Sequence, residues 1–449
     1  MDPSVLDLTE NSKNNTLTFT ISNINVSLAN AIRRVILADI PTVIFRTFPH
    51  EKNDSTFYIN TSRLNNEILK QRLSCIPIHI IDFDIDLKDY LLEVNVENTT
   101  ENIIFVTTKD FKILNTLTNK YLSDEILNDI FPPDPISKQY IDFCRLRPKI
   151  SDTIPGEHIK FSCKFNKSTA SENGSFNVVS TCAYSNTPDP IKISEAKEVK
   201  LVELREKHDD EDEINSHLED WLNLDAKRLF VPDSFNFIVE TVGVFDNKTI
   251  VQKAIYIIIN RLKNITSTYS SQNDLIVNSD TTIQNAFDII LENEDFTIGK
   301  ILEYGLYKLY YLENASLTYC GFSKPHPHIN KSIIRIAFKE ETTKNTVIQY
   351  LVTSVNYAIE FYKKLLPQLG EILLEDKALV ETVIPPTTQV KTQTPVSSNT
   401  KNKKLITVPK TTEKQKQKKE VVKDDDNDDD DDDDLLDEAA LLEALSNSD

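Results

Sequence analysis

Residues 27–42 read SLANAIRRVILADIPT, and they have the pattern of one short amphipathic helix. The hydroxyl of Ser27 can accept a hydrogen bond from the free amides of a first helical turn, which predicts an N-cap. Pro41 predicts the helix end, because proline has no amide donor and restricts the residue before it. Arg33 and Arg34 lie at the edge of an apolar face that needs a packing partner, formed by Leu28, Ile32, Val35 and Ile36. From the pattern alone, a helix with two solvated arginines is the simpler interpretation.

A second block, residues 66–78, reads NEILKQRLSCIPI. The two blocks, in this order and at this distance, resemble the signature segments of the alpha-type subunits of cellular RNA polymerases. The resemblance implies that the helix at 27–42 meets the second-largest polymerase subunit. At such an edge, the guanidinium groups of Arg33 and Arg34 suit pairing with carboxylates and backbone groups.

The composition bounds the architecture. The chain has 449 residues, of which 39% are hydrophobic, so it is long enough for two or three domains with cores of their own. The net charge of −20 is uneven, because residues 424–449 hold 12 Asp and 2 Glu without a cation, whereas residues 376–423 are rich in Lys. The rest of the chain, residues 1–375, is also acidic. This argues against a general nucleic-acid binder, since neutralising phosphates needs clustered cations.

Cysteine usage and hydropathy indicate the compartment. No C-x-x-C pair occurs among the five widely spaced cysteines Cys75, Cys144, Cys163, Cys182 and Cys320. This spacing argues against a disulfide scaffold and a zinc knuckle, and it favours a reducing compartment. The N-terminus lacks the basic and apolar regions of a leader, and no window reaches 18 apolar residues. We therefore expect a soluble intracellular protein without membrane contact.

Hydrophobic periodicity divides the chain into strands and helices. Residues 15–26 and 235–244 alternate with period two and predict strands, and the helix after the second strand has Val251, Ile255, Ile258 and Leu262 on one face. By resemblance to the alpha family, they belong to a discontinuous first dimerisation domain at 1–80 and 226–265. A β-rich insert domain occupies 81–225 between the two parts.

Two stretches are polar or charged without the pattern of a buried element. Residues 191–225 contain no Gly or Pro, and they predict a solvated helix whose end docks through Trp221 and Leu222. Residues 266–280 are rich in Ser, Thr and Asn, and they predict a linker.

The insert contains one run that invites a metal interpretation. Asp82, Asp84 and Asp86 alternate with apolar residues, but a calcium loop would need Gly where Leu87 stands. A polymerase active-site triad would need flanking Asn and Gly. We interpret the run as a strand with its carboxylates in solvent. Many cellular relatives hold zinc in this domain with a cysteine cluster that this sequence lacks, so we expect no cofactor.

The plan of the first domain repeats at 281–370. TIGKIL at 297–302 echoes SLANAI at 27–32 as hydroxyl, apolar, small, polar and two apolar residues. A strand at 333–338 and a helix follow, and the helix has Leu351, Val355, Ile359 and Tyr362 on one face. The repeat differs from the original in one place, because Glu303 and Tyr304 stand where Arg33 and Arg34 stand earlier.

The repeated unit resembles the smaller alpha-like partner subunit of archaeal and eukaryotic polymerases, whose middle block matches GFSKPHPH at 321–328. Taken alone, His326 and His328 would be a candidate ligand pair. They lie in a turn fixed by prolines and have no third ligand nearby, so we assign no metal to them.

These features predict an α+β fold in which two alpha-like dimerisation units form an intramolecular pseudo-dimer, the first interrupted by the β-rich insert. Each unit has long apolar helical faces that a thin α/β layer of about 90 residues cannot bury alone. A disordered tail is predicted at 371–449, with Lys-rich and then Asp-rich segments. Its leucine-rich motif at 435–445 is too short to be a stable helix alone.

A chain carrying both units resembles the fused alpha-type subunit of RNA polymerases from large DNA viruses. The resemblance implies a non-catalytic platform for polymerase assembly. The implied partners are the second-largest and largest subunits and the small zinc-binding subunits of the ten- and twelve-numbered type, with DNA and RNA reached only through the complex. The implied location is a viral factory in the host cytoplasm, or the host nucleus, with packaging in the virion.

The residues assigned to these roles form two sets. The predicted subunit interface consists of Leu28, Asn30, Ile32, Arg33, Arg34, Val35, Glu67, Arg72, Thr297 and Gly299. The predicted intramolecular dimer helices meet through Val251, Ile255, Ile258, Leu262, Leu351, Val355, Ile359 and Tyr362. No nucleophile elbow, phosphate-binding Gly loop or acid pair is visible, so no catalytic residue is predicted.

Two other function classes compete with this interpretation. The Asp run favours an acidic chaperone or nucleic-acid mimic, which would bring down histone-like basic proteins and no large polymerase subunits on purification. A metal-dependent enzyme using Asp82, Asp84 and Asp86 would purify with bound metal.

Overall fold

The computed structural model describes residues 2–11, 13–81, 85–151, 153–208, 210–271 and 273–370. The tail predicted at 371–449, and Asp82 and Asp84 of the predicted acidic strand, lie outside the described residues. Helices and sheets are mixed throughout the described part, which confirms the predicted α+β class.

The elements before the repeat are, in chain order, β1 (Ser4–Asn11), β2 (Thr16–Ser22), α1 (Val26–Ala38), β3 (Thr42–Phe45), β4 (Ser55–Asn60), α2 (Asn66–Ser74), β5 (Tyr90–Glu97), β6 (Ile104–Thr107), β7 (Lys112–Asn115), β8 (Lys120–Tyr121), α3 (Asp124–Ile130), β9 (Asp142–Leu146), β10 (His158–Ser168), β11 (Val179–Pro188), α4 (Pro190–Lys207), α5 (Glu211–Asn223), β12 (Phe230–Thr241) and α6 (Asn247–Ser271). The repeat contains β13 (Ile276–Asn278), β14 (Ala286–Glu292), α7 (Phe296–Leu306), a π-helical continuation (Tyr307–Glu313), β15 (Leu317–Ser323), β16 (Lys331–Phe338) and α8 (Lys344–Leu365).

The first sheet is antiparallel, in the order β1-β2-β12-β11. Period-two alternation puts one set of its side chains on a single buried face: Leu17, Phe19, Ile21, Phe235, Phe237 and Val239. The repeat builds a second antiparallel sheet, β13-β14-β16-β15. The buried faces of both sheets, together with α1, α6, α7 and α8, contribute to one continuous hydrophobic core.

A separate core belongs to the insert, where a six-stranded sheet has the order β3-β10-β5-β7-β8 and β4 pairs beside β10. This core extends over residues that the sequence analysis assigned to the first domain, among them Val43, Phe45, Leu69 and Leu73. In the other direction, β11 pairs with β12 and packs in the first core. By packing, the chain enters the insert after Ile40 and leaves it before Val178, so the boundaries differ from the predicted 81 and 225.

Two polar stretches also differ from their predictions. Residues 266–280, predicted as a linker, contain the last turns of α6, a 3-10 turn (Asn273–Leu275) and β13. The stretch 191–225 is helical as predicted, but it forms two helices. They pack through a small cluster of their own that includes Leu204, Ile214 and Leu218. No helix among the described residues is both long and apolar enough to cross a membrane.

Candidate subunit-assembly surface

Helix α1 begins two residues before the predicted start. Its N-cap is Asn25 rather than Ser27, and the Asn25 Oδ1 accepts from the amide of Ser27 at 2.9 Å. An amide side chain is as good a cap as a hydroxyl, so the local pattern did not distinguish the two. The tight entry into the helix is made by Asn23, whose φ of 60° is the left-handed conformation that Asn tolerates well.

Helix α7 begins in the same way. Asp295 caps it by accepting from the amide of Thr297 at 2.9 Å, and Asn293 has a φ of 58°. The strands repeat as well. In the first copy Phe19 pairs with Phe237. In the second copy Ile289, 270 residues after Phe19, pairs with Ile334, 97 residues after Phe237. Register, entry turn and cap therefore repeat together, which makes the second unit a structural copy of the first.

The two copies share their core. All eight residues predicted for the dimer helices are buried in it. A hydrogen bond crosses between the copies at full burial, where the hydroxyl of Tyr362 on α8 donates to the carbonyl oxygen of Leu28 on α1 at 3.0 Å. The position of Tyr362 in the repeat corresponds to Ile265 in the first copy, so this bond has no symmetric counterpart.

Half of the predicted subunit interface lies inside this core. Leu28, Ile32 and Val35 are at most 1% exposed. Thr297 is buried, and Gly299 lies directly beneath the Phe322 ring. The side chains of Leu28, Ile32 and Val35 are therefore covered by this chain's own core, whereas Thr297 is buried but belongs to the lining of the cleft described below. The apolar face of α1 needed a partner, and the second copy supplies it.

Arg34 also differs from its expectation, because it is already paired within the chain. Its Nη2 donates to Asp295 Oδ2 at 2.7 Å, and its Nε donates to the hydroxyl of Thr297 at 2.8 Å. Both carboxylate and guanidinium keep 39% of their side-chain surface exposed. Arg33 is partly exposed, and its Nε donates to Asn30 Oδ1 at 2.9 Å. Of the two arginines, Arg33 has no carboxylate partner among the described residues.

A partly buried charge cluster lies beside this pair, and the sequence analysis did not identify it. Arg261 on α6 donates to Asp39 Oδ2 at 2.7 Å and also pairs with Glu294. Burial raises the pKa of Asp39 and of Glu294 above their ordinary values, and it outweighs the attraction of Arg261 for either carboxylate. The only available signal was that Glu294 stands immediately before the cap Asp295, where Ile24 stands before the cap Asn25 in the original.

These groups line an open cleft of about 780 Å³ between the two copies. Its cations are Arg33, Arg34, Arg261 and Lys324. Its carboxylates are Asp39, Glu294 and Asp295, and these already pair with Arg34 and Arg261. The cleft can therefore accept further negative charge mainly at Arg33 and Lys324.

The remaining predicted interface residues lie elsewhere. Glu67 and Arg72 are exposed on α2, which packs on the insert core, and neither lines the cleft. The Nη2 of Arg72 donates to the carbonyl oxygen of Asp142 at 2.8 Å, so Arg72 helps hold β9 in place. The two sequence blocks thus form two separate surfaces.

Metal chemistry finds no support in the described residues. No group of three His, Cys, Asp or Glu side chains there could hold an ion. The Nδ1 of His326 accepts from the amide of His328, and Asp86 caps the short turn Leu87–Asp89. Burial raises the pKa of Cys144 to about 12 and that of Cys163 further.

Comparison with known proteins assigns the chain to a family. The family described as RNA polymerase Rpb3/Rpb11 dimerisation domain matches residues 18–262. The chain is 24% identical over 292 residues to human DNA-directed RNA polymerases I and III subunit RPAC1, covering 56% of this chain and 80% of the relative. It is 32% identical over 98 residues to Pyrococcus furiosus DNA-directed RNA polymerase subunit Rpo3, covering 21% of this chain and 35% of the relative.

A Tetrahymena thermophila conjugation stage-specific protein is also similar, with 24% identity over 196 residues, which is 41% of this chain and 60% of the relative. The family match ends at residue 262, and the structural copy begins after it.

Proposed function

The chain belongs to the RNA polymerase Rpb3/Rpb11 dimerisation-domain family, and from this premise we propose that it is a non-catalytic assembly subunit of a DNA-directed RNA polymerase. One observation carries the proposal furthest: the second unit repeats the register, entry turn and cap of the first and shares one core with it. A dimerisation domain whose partner is part of the same chain needs no second protein to complete its fold.

Covalent connection gives the two units a high effective concentration. We assign the second unit the role of the smaller alpha-like partner, so the pair offers a preformed platform to the second-largest and largest polymerase subunits. The small zinc-binding subunits complete the partners, and nucleic acid is reached only through the complex. No cofactor is needed for this role.

The cleft between the copies is our candidate for the contact with the second-largest subunit. Arg33 lines it without a carboxylate partner among the described residues, and Lys324 lines it as well. An acidic segment of the other subunit would complete the charge balance of the cleft. Charged contacts of this kind become strong when the partner excludes water.

We also propose that the polymerase is that of a large DNA virus, working in a cytoplasmic factory or the host nucleus and packaged in the virion. The support is the fused arrangement together with the Asn, Ile and Lys bias of the sequence.

A protease site tests the single-platform arrangement. Residues 280–284 form the exposed loop between β13 and β14, so a site there separates the first copy, together with β13, from the rest of the second copy without interrupting an element. After cleavage, the two pieces should elute together on a sizing column under native conditions, because the shared core holds them. Separation of the pieces would show that the copies do not form one fold.

Arginine substitutions test the assembly contact. In cells that make the whole polymerase, Arg33→Ala should reduce recovery of the second-largest subunit with the tagged chain, since losing one partner of a buried charged contact costs about 2 to 5 kcal/mol in binding. The matched control is Arg228→Ala, at an exposed arginine of the short turn Asp225–Arg228. Equal recovery for both variants would exclude Arg33 from the contact.

The same purification separates the competing class. An acidic chaperone would recover histone-like basic proteins and no large polymerase subunits, and Arg33→Ala would leave that recovery unchanged.

A further inference from the structure

Helices α4 and α5 form an arm, residues 190–228, that leaves the first sheet between two paired strands. Pro188 of β11 pairs with Phe230 of β12, and the amide of Asp189 donates to the carbonyl oxygen of Leu229 at 3.0 Å. Beyond this neck the helices pack on each other, through Leu201, Leu204, Ile214, Leu218, Trp221 and Leu222. The arm is therefore a small helical hairpin attached to the sheet by its base.

The side of α4 that faces away from α5 is unusually apolar for a solvated surface. Ile191, Val199 and Val202 are 70%, 71% and 59% exposed. Ile191 and Val199 are eight residues apart, and Val199 and Val202 are three apart. On a helix with 3.6 residues per turn, all three therefore lie on one stripe. A monomeric protein gains nothing from three exposed β-branched residues on one helical stripe, which also have modest helix propensity.

Three glutamates lie on the same stripe. Glu195, Glu198 and Glu206 are exposed, and their spacing from Ile191 places them between and beside the apolar residues. Within the part of the chain that the structure describes, none of the three has an ion-pair partner. The lysines of α4 pair elsewhere: Lys200 and Lys207 both contact Glu203, on the other side of the helix.

We propose that this stripe is the docking face for a basic amphipathic helix of another polypeptide. A helix with apolar residues every three or four positions, flanked by Lys or Arg, would cover Ile191, Val199 and Val202 while pairing the three carboxylates. The stripe is about 22 Å long from Ile191 to Glu206, which is four turns of a partner helix.

Other occupants fit less well. A second copy of the arm would bring six carboxylates together, which is repulsive. Nucleic acid would place phosphates against the glutamates. An uncharged apolar helix would bury the carboxylates without partners, which is costly. The combination of exposed branched residues and unpaired glutamates therefore selects a cationic helix.

The test uses the full chain and two synthetic helical peptides of about 21 residues. Both carry Leu at positions a and d of each heptad, and one has Lys and the other Glu at positions e and g. A third peptide has the Lys composition in scrambled order. Binding is measured by fluorescence anisotropy, and the location by hydrogen exchange of the amides of α4.

The Lys peptide should bind the unmodified chain and slow exchange within α4, whereas the scrambled peptide should bind at least tenfold more weakly. The variant V199K/V202K should also bind the Lys peptide at least tenfold more weakly. The matched control N215K/S216K adds the same two charges on the exposed side of α5 and should bind within about twofold of the unmodified chain. Because the control has the same net charge, it cancels any general attraction to the Asp-rich tail.

Charge reversal gives the sharpest outcome. The triple variant E195K/E198K/E206K should lose the Lys peptide and gain the Glu peptide, again by at least tenfold. Circular dichroism checks that each variant keeps its helix content. Equal binding by V199K/V202K and N215K/S216K, or binding without protection in α4, would overturn the proposal.

Discussion

The two copies meet at two equivalent places, which we call the two ends of the pair. The backbone repeats at these ends, but the side chains differ. At one end, Arg261 lies with Asp39 and Glu294 in a partly buried charge cluster. At the corresponding positions of the other end stand Ala358 and Ile24, both buried in the apolar core. Arg34 pairs with Asp295 at the first end, whereas its counterpart Tyr304 lies beside Lys308 and Tyr357 at the second.

The difference makes the two ends distinguishable to a partner, although the fold is repeated. Two identical ends would offer the same surface twice, and a partner could bind in either of two orientations. Buried ion pairs give little net stability compared with well-packed apolar residues, so the charge cluster is poorly explained as a stabilising device. Its better explanation is that it distinguishes the two ends, since Glu303 stands in the second copy where Arg33 stands in the first.

The largest expected effect comes from breaking the cluster. Replacing Arg261 with Ala leaves two mostly buried carboxylates without their cation, because Asp39 and Glu294 keep only 25% and 16% of their side-chain surface. We expect the free energy of unfolding to fall by about 3 to 5 kcal/mol, measured by urea denaturation at pH 7. The control Lys331→Ala removes an exposed pair with Glu292 and should cost less than about 1 kcal/mol. Equal losses would mean that the cluster is solvated like a surface pair.

Removing the hydrogen bond between Tyr362 and Leu28 should lower the free energy of unfolding by less. Tyr362→Phe keeps the ring in the shared core and removes only the hydroxyl that donates to Leu28. The expected loss is about 0.5 to 1.5 kcal/mol, the usual net contribution of one buried hydrogen bond. Tyr357→Phe, which removes a partly exposed hydroxyl at the aromatic end, is the comparison. A larger loss for Tyr357→Phe than for Tyr362→Phe would show that the crossing hydrogen bond is not the more stabilising of the two.

The contact of Arg34 with Asp295 should contribute less again. Both side chains are 39% exposed, and pairs of this kind typically contribute less than about 1 kcal/mol. Thermal unfolding of Arg34→Ala should therefore stay close to that of the unmodified chain. A fall comparable with that of Arg261→Ala would show that the pair is as buried as the cluster.

The smallest expected effect is on pH dependence. Burial raises the pKa of Asp39 and Glu294, so the folded state binds protons there more tightly than the unfolded state. Their contribution to the free energy of unfolding is thus unfavourable near pH 7 and becomes less so as the pH falls through the raised pKa values toward about 4. The double variant D39N/E294Q lacks this gain, so its stability should fall more steeply between pH 7 and about pH 4.

Urea denaturation at the two pH values measures this slope. The control Glu292→Gln, at an exposed position paired with Lys331, should leave the slope unchanged. A shallower slope in D39N/E294Q would mean that Arg261 lowers both pKa values instead.

The sequence alone determined the α+β class, the two long helices and the repetition of the helix with its small residue and hydroxyl. These follow from periodicity and local residue types, which act within a few positions of the chain. It also placed Val251, Ile255, Leu351 and Val355 on apolar faces that had to meet something.

Only the tertiary structure decided what those faces meet and which charges pair. Local residue types favour strands at β3 and β11, but they do not show which sheet each strand joins, so the boundaries of the insert differed from the prediction. Arg34 and Asp295 are 261 residues apart, and Arg261 and Asp39 are 222 apart. No local pattern carries such pairings, because they exist only once two copies of the fold have packed together.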